Sequence, residues 1–450
     1  MTTAQELTER VHADQVSLLR FAYCDLAGIT RCKAIHVSQL PDRLVSGVGL
    51  TRAQMALNVL DELIDIEGMV PVGEIRLLPD LDSYRPAPWQ PRTATVRCDQ
   101  IGPDRHDWGA CPRSVLRRTV TLLAEHGITV RAAFEPEFYL AGGVDSALQA
   151  LPRTPVYSTI GHDAHAAVLL DIVDALTAQG LQVEQAINEY GPGQQEVTVR
   201  HAPPLQAADD YLAVKDTVRG VARAHDLWAS FAPKPFVDQI GSGAHLHLSL
   251  WDGTGGRSLL YDPERAGELS STGTAFLAGV REHLSALLAV TAPSVNSYRR
   301  FTPGAWAGAT TAWGFDNREA ALRVVSPFYG REEQTFAVEY KPMDGSANPY
   351  LALAAVLRCG LDGVQRELTL PEPARLPPQR LTADERERCG ISDLPDQLPT
   401  ALTAFAQDSV LPELFGEFLC RAFLAVRTSE ADKFAAHDEA FELRHHGYKY

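Results

Sequence analysis

The sequence predicts an α+β enzyme, with a small β-rich region at the N-terminus and a larger region behind it in which helices and strands alternate. Three observations predict it. Residues 16–98 form short strand-like runs broken by turns. From Arg113 onward, segments of helical periodicity alternate with segments of strand periodicity. The 450 residues, 45% hydrophobic and 22% charged, are enough to bury a large core.

In chain order, 18–26 and 32–37 read as strands joined by a turn at Gly28, and the proline-rich stretch 85–92 reads as a linker. Apolar positions Val115, Leu116, Val120, Leu122 and Leu123 predict a helix over 113–125 that stops at Gly127. Helices are expected at 164–179 and 204–224, and strands at 130–140, 193–199, 244–251 and 335–341. The stretch 368–398, dense in proline and charge, reads as a surface excursion, and the remainder to Tyr450 as helical.

The net charge of −16 argues against a nucleic-acid or anionic-membrane partner, because either favours a basic face. The first residues lack a basic segment followed by an apolar one, and no uninterrupted apolar run reaches about 18 residues, so a cytoplasmic protein is expected. Seven cysteines without a CxxC pair fit reduced thiols.

The chemistry-bearing residues fall in four segments. In Phe134-Glu135-Pro136-Glu137-Phe138 two carboxylates stand two apart in an apolar strand, so the pleat sends both to one face. Glu189 and Glu196 flank the Tyr190-Gly191-Pro192-Gly193 turn, and His245 and His247 share a face of the run Ala244–Ser249. Glu339 and Lys341 share another, with Asn317, Arg318 and Arg323 upstream. An isolated HxH strand also suits simple packing or zinc. Mostly oxygen donors beside one imidazole favour magnesium or manganese, and the added arginines favour phosphoryl transfer.

In this order the motifs FEPEFYL, NEYGPGQQE, GSGAHLHLSL, NSYRRFTPG, NREAALR and VEYKP…ANPYL resemble those of class I glutamine synthetases over residues 105–355. A weaker resemblance through Asp25-Leu26-Ala27-Gly28, Arg31 and Lys33 extends it toward the N-terminus. It implies a β-grasp-like domain over 12–98 and, over 105–450, a catalytic domain with a curved antiparallel sheet flanked by helices. It further implies ATP and two or three Mg²⁺ or Mn²⁺ ions, one held by Glu137, Glu189 and Glu196 and another by Glu135, His245 and Glu339. Glu184, His247, Ser249 and Arg323 match the residues that bind ATP. Arg318 matches the arginine that supports the transferring phosphoryl group, Arg300 the one that clamps the glutamate α-carboxylate, and Gly241 and Lys341 lie in the glutamate site. Family members form dodecamers of two hexameric rings, so a homo-dodecamer is expected.

The sequence departs from the ammonia-using pattern at two places. A PGYEAP-like stretch is replaced by Pro303-Gly304-Ala305-Trp306-Ala307-Gly308, which puts Trp306 where a glutamate meets ammonium. The residues Gly49–Gln54 replace a DGSS-like element whose aspartate helps deprotonate it. An indole cannot accept a proton as a carboxylate does. These losses resemble the glutamate–amine ligases of the family, which couple glutamate to polyamines, ethanolamine or alkyl and aryl amines, with Trp306 lining the amine pocket. Lys341 and Ala337 stand where arginines are usual, and Ile240 where asparagine is common. An ammonia-using glutamine synthetase and a catalytically silent assembly of the same fold remain the alternative readings.

Overall fold

The computed structural model of the chain describes residues 2–143, 148–265 and 267–450. A helix not predicted above, Ala4–Ala13, opens it, held by a reciprocal capping box between Thr3 and Glu6. The N-terminal sheet follows, with β1 Leu18–Cys24, β2 Thr30–His36, β3 Val48–Thr51, β4 Glu74–Pro79, β5 Arg85–Pro86 and β6 Thr93–Ile101. Its order is β2-β1-β6-β4-β3, with β5 paired to β6. Strands β1 and β6 run parallel, Leu18 opposite Thr93. The stretch 85–92 is therefore not a linker: it turns the chain inside the sheet. Proline is tolerated there because β5 pairs on one side only.

Among the described residues nine strands form the second sheet: β7 Ile128–Gly142, β8 Gln149–Ala150, β9 Val183–Asn188, β10 Gln194–Val199, β11 Trp228–Ser230, β12 Ala244–Asp252, β13 Trp313–Phe315, β14 Leu322–Val325 and β15 Ala337–Tyr340. They run in the order β13-β14-β15-β12-β7-β10-β9, with β8 and β11 also paired to β7. All pairs are antiparallel except β13 with β14. The alternation along β12 shows how the sheet divides its faces. Leu246, Leu248 and Leu250 are buried in the core, while His245, His247 and Ser249 take the opposite face. Phe134, Val338 and Tyr340 enter the same core from β7 and β15. Helices Pro112–Glu125, Pro204–Ala224 and Pro349–Gln365 contribute Leu116, Leu123, Ala208, Leu212, Leu351 and Leu353 to it, so the helical layer leaves the polar face of the sheet open.

Arg113 joins the two sheets through this helical layer. Its guanidinium is 3% exposed and meets Asp209 of helix Pro204–Ala224 at 3.2 and 2.8 Å, Asp99 of β6 at 3.0 Å and Asp80 at 2.6 Å. The Tyr350 hydroxyl donates to Asp209 at 2.6 Å. At the other junction, the Asn348 side chain donates to the Cys24 and Asp25 carbonyls. Gly28 there has φ of +79°, and a Cβ on it would lie 2.2 Å from the Ser346 carbonyl oxygen, so only glycine fits.

The stretch 368–398 follows the surface, yet it packs against the loop before β14. Ala374 is buried with Ala312 and Ala320, and the Asn317 side-chain amide donates to the Ala374 and Leu376 carbonyls. It thus fixes the residue that precedes Arg318. Beyond it the chain is helical as expected, through Leu398–Gln407, Leu411–Ala435 and Glu439–Lys449. Among the described residues no helix is long and apolar enough to cross a membrane.

Substituting Arg113→Met leaves a buried carboxylate of Asp209 without its cation. The change should destabilise the protein by about 3–5 kcal/mol, read as a lowered urea midpoint. A midpoint within error of the unsubstituted protein would show that the two sheets do not depend on this junction.

Candidate active site

The open face of the second sheet lines a cavity of about 1050 Å³, and every metal, nucleotide and substrate residue assigned from the resemblance borders it, whereas Asn317 does not. Strand register explains the convergence. On β10 and β7, Glu196 faces Glu137; on β7 and β12, Glu135 faces His245. A third row crosses β12, β15 and β14 through His247, Glu339 and Arg323. Glu189 stands just past the end of β9, and its N–H is held by the Gln194 carbonyl at 2.9 Å across the turn. Five glutamates therefore converge from β7, β10, β15 and the end of β9.

These carboxylates divide into two electrostatic groups. Glu339 is buried, which by itself favours the neutral acid, but Lys341, His245, His247 and Arg323 outweigh burial and hold it well below the usual carboxylate range. Arg323 Nη1 is 2.8 Å and Lys341 Nζ 3.1 Å from it. Among the described residues the other group has no Lys or Arg in contact. Burial, with Glu137 beside it, pushes Glu189 up to about 7. Burial and then the surrounding glutamates push Glu196 well above its ordinary value. Glu137 is raised by burial against the Gly243 N–H, which donates to it at 2.9 Å. Carboxylates this close and this buried call for cations.

Two histidines lie between the groups. His247 Nε2 is 3.0 Å from Glu135 and 3.8 Å from Glu339. His245 is 3.3 Å from Glu339 and 3.9 Å from Glu137. The resemblance puts His245 in the second metal set and His247 with ATP. In the structure the compact group whose ligand atoms lie within 4.8 Å of one another is Glu135, His247 and Glu339. Register brings both imidazoles to these carboxylates, His247 opposite Glu339 and His245 opposite Glu135, and it is the 3.0 Å approach to Glu135 that draws His247 into the group. Burial and Lys341 lower His245 well below its ordinary pKa. For His247, burial is outweighed by Glu135, and its pKa is raised. The donors fit divalent ions: neutral His245 has a free lone pair, and Glu137, Glu189 and Glu196 offer oxygen with no cation of their own.

Arg300 is 3% exposed, donates to the Met343 carbonyl at 3.1 Å and lies 3.6 Å from Asp344. Space for it depends on glycine. A Cβ on Gly241 would lie 2.5 Å from Arg300 Cγ, and one on Gly243 would lie 2.9 Å from its Nη2 and 2.7 Å from His245 Nε2. Ser249 accepts from the Trp251 indole at 3.0 Å. Glu184 borders the cavity, as do Arg131, Arg200 and Arg331.

Two lining residues, Gln194 and Tyr157, are not singled out from the sequence. Gln194 donates to Glu137 at 3.2 Å and to the Gly241 carbonyl at 3.0 Å, fixing both. Its place inside NEYGPGQQE is the only sequence cue. Tyr157, with no cue, reaches Glu189 at 3.3 and 3.4 Å through its hydroxyl. Trp306 lies at the cavity mouth with Arg318 5.9 Å from its ring centre. Tyr157 and Trp306 both have positive φ, 54° and 53°, which costs a non-glycine residue about 1–3 kcal/mol.

Comparison with known proteins follows the same division. Residues 3–111 match the family model "Glutamine synthetase N-terminal domain" and residues 109–446 the model "Glutamine synthetase, catalytic domain". The chain belongs to the glutamine synthetase family. It is accordingly an ATP-dependent carboxylate–amine ligase of a family that uses glutamate, ATP and divalent metal. Among curated relatives, gamma-glutamylpolyamine synthetase GlnA3 of Streptomyces coelicolor is 40% identical over 420 residues, 91% of this chain and 88% of that protein. The glutamine synthetase of Thermus thermophilus is 33% identical over 448 residues, 98% of each. A solved structure described as a novel glutamine synthase homolog superposes with a TM-score of 0.86 at 34% identity, covering 97% of this chain and 99% of that one. The GmaS/ADP complex gives 0.85 at 27%, covering 99% of each.

A raised carboxyl is protonated at pH 6 and ionised at pH 8, so in metal-free protein Glu189 costs stability progressively as pH rises through about 7. Added Mn²⁺ relieves that repulsion and competes with protons. It should therefore raise the melting temperature more at pH 8 than at pH 6. Equal shifts at both pH values would contradict the assignment of this group as ligands.

Proposed function

We propose that the protein joins the γ-carboxylate of L-glutamate to an organic amine, forming a γ-glutamyl amide, ADP and phosphate. The observation that carries this reading is Trp306. An exposed indole borders the cavity, in the stretch that resembles the family's ammonium-binding element but lacks its carboxylate. The 40% identity to a polyamine-using relative supports it.

In this reading Glu137, Glu189 and Glu196 hold one Mg²⁺ or Mn²⁺ ion, and Glu135 and Glu339 with an imidazole of His245 or His247 hold a second. Two or three such ions would neutralise charge between the phosphate chain and the carboxylate as the phosphoryl group moves. Arg300 clamps the glutamate α-carboxylate beside Gly241 and Lys341, and its buried fork suits that planar anion. Glu184, Ser249 and Arg323 border the ATP, together with whichever imidazole is free of metal. A γ-carboxylate oxygen attacks the terminal phosphorus, ADP leaves, and Arg318 meets the charge on the transferred group. The neutral amine nitrogen then attacks the γ-carbonyl carbon. A C–N bond forms, the C–O bond to phosphate breaks, and phosphate departs with the proton that the nitrogen gives up on becoming an amide. A ring-shaped homo-oligomer of twelve subunits is the assembly we propose from the family.

Phosphate release with L-glutamate, ATP and Mn²⁺ across an amine panel checks this. Organic amines should exceed ammonia by at least about ten-fold in kcat/KM. Ammonia outperforming every organic amine would establish an ordinary glutamine synthetase and leave Trp306 a packing residue. Arg300→Lys keeps the charge but loses the fork, and should raise the glutamate KM by about ten-fold or more with the ATP KM little changed.

A further inference from the structure

Three aromatic side chains from separate loops meet at the mouth of the cavity. Tyr157 precedes helix Thr159–Ala164, Tyr190 lies in the turn between β9 and β10, and Trp306 follows Pro303-Gly304. Tyr190 is the middle member. Its ring centre is 5.9 Å from that of Tyr157, with planes at 74°, and 5.6 Å from that of Trp306, with planes at 81°. All three border the cavity and are exposed, at 55%, 42% and 37%.

A row of exposed rings is costly to leave in water, and two of its members hold left-handed backbone that aromatic residues seldom adopt. The fold maintains them regardless. The row adjoins Glu189 at one end, through the Tyr157 hydroxyl, and Arg318 at the other, through the Trp306 ring. Whatever lies against it is therefore continuous with the reacting groups. Edge-to-face rings present both faces and edges to a narrow guest, which suits methylenes and, over a ring face, an ammonium. The Tyr190 hydroxyl makes no hydrogen bond among the described residues, so its ring is the part that matters.

We infer that Tyr157, Tyr190 and Trp306 form a clamp for the aliphatic chain of the amine substrate, with Tyr190 the residue that holds the other two in line. This rests on the organic-amine reading above. The clamp selects amines carrying a chain of several carbons, because a small nucleophile reaches the acyl carbon without touching the rings.

The test compares the full-length protein with Tyr190→Ala and Tyr190→Phe, using hydroxylamine, butylamine and 1,4-diaminobutane as nucleophiles at saturating ATP and glutamate. Tyr190→Ala should raise the KM of both four-carbon amines by about ten-fold and lower their preference over hydroxylamine by a similar factor, with the glutamate KM within about two-fold. Tyr190→Phe should stay close to the unsubstituted protein. Equal losses for the two four-carbon amines locate the contact on the methylenes, and a larger loss for the diamine locates it on the distal ammonium; both support the clamp. A Tyr190→Ala effect equal on hydroxylamine and butylamine, or absent from both, would overturn it. If ammonia outperformed every organic amine of the panel above, the organic-amine reading itself would fail before any variant is compared, whereas use of ethanolamine or an aryl amine but of neither four-carbon amine would overturn the clamp alone.

Discussion

Five glutamates, Glu135, Glu137, Glu189, Glu196 and Glu339, face one cavity from β7, β15 and the hairpin β9–β10, and their mutual repulsion governs how the rest of the sheet is built. Like charges in a low-dielectric pocket are tolerated only beside cations or as neutral acids. The molecule uses both solutions. Glu339 is surrounded by Arg323, Lys341 and the two histidines, whereas Glu137, Glu189 and Glu196 are held toward the protonated form. A protein that only needed a stable sheet would place leucine or threonine at these positions. The difference between the groups is what makes the second one a place for divalent metal.

The supporting structure serves the same constraint. The apolar faces of β7, β12 and β15 are buried against the helical layer, so the strands cannot slip by one residue without exchanging core for carboxylate. Gly241 and Gly243 leave the room that Arg300 occupies, and Gln194 ties Glu137 to the loop carrying Gly241. The surface stretch 368–398 holds Asn317 and with it the approach to Arg318.

Much of this was legible in the sequence, for a definite reason. The period of two in a strand fixes which side chains share a face, so Glu135 with Glu137 and His245 with His247 were readable from spacing alone. Register between strands is not written in spacing. The pairing of His247 with Glu339 therefore emerged only from the fold. Proline misled at 85–92, because an edge position tolerates it as well as a linker does. Tyr157 was invisible, since a loop residue meeting Glu189 across 32 positions leaves no periodic trace. The roles of the amine-side residues are the least legible part, because three loops with no common pattern build that wall.

Activation of the γ-carboxylate by ATP and its capture by an organic amine are the two halves of the proposed reaction, and oxygen tracing tests both together. Glutamate labelled with ¹⁸O in its γ-carboxylate is turned over with ATP, Mn²⁺ and 1,4-diaminobutane, and phosphate and amide are weighed by mass spectrometry. One ¹⁸O in each phosphate, together with a γ-glutamyl amide retaining one, is the predicted result. Unlabelled phosphate, or labelled phosphate accompanied only by glutamine when ammonia is supplied, would contradict it.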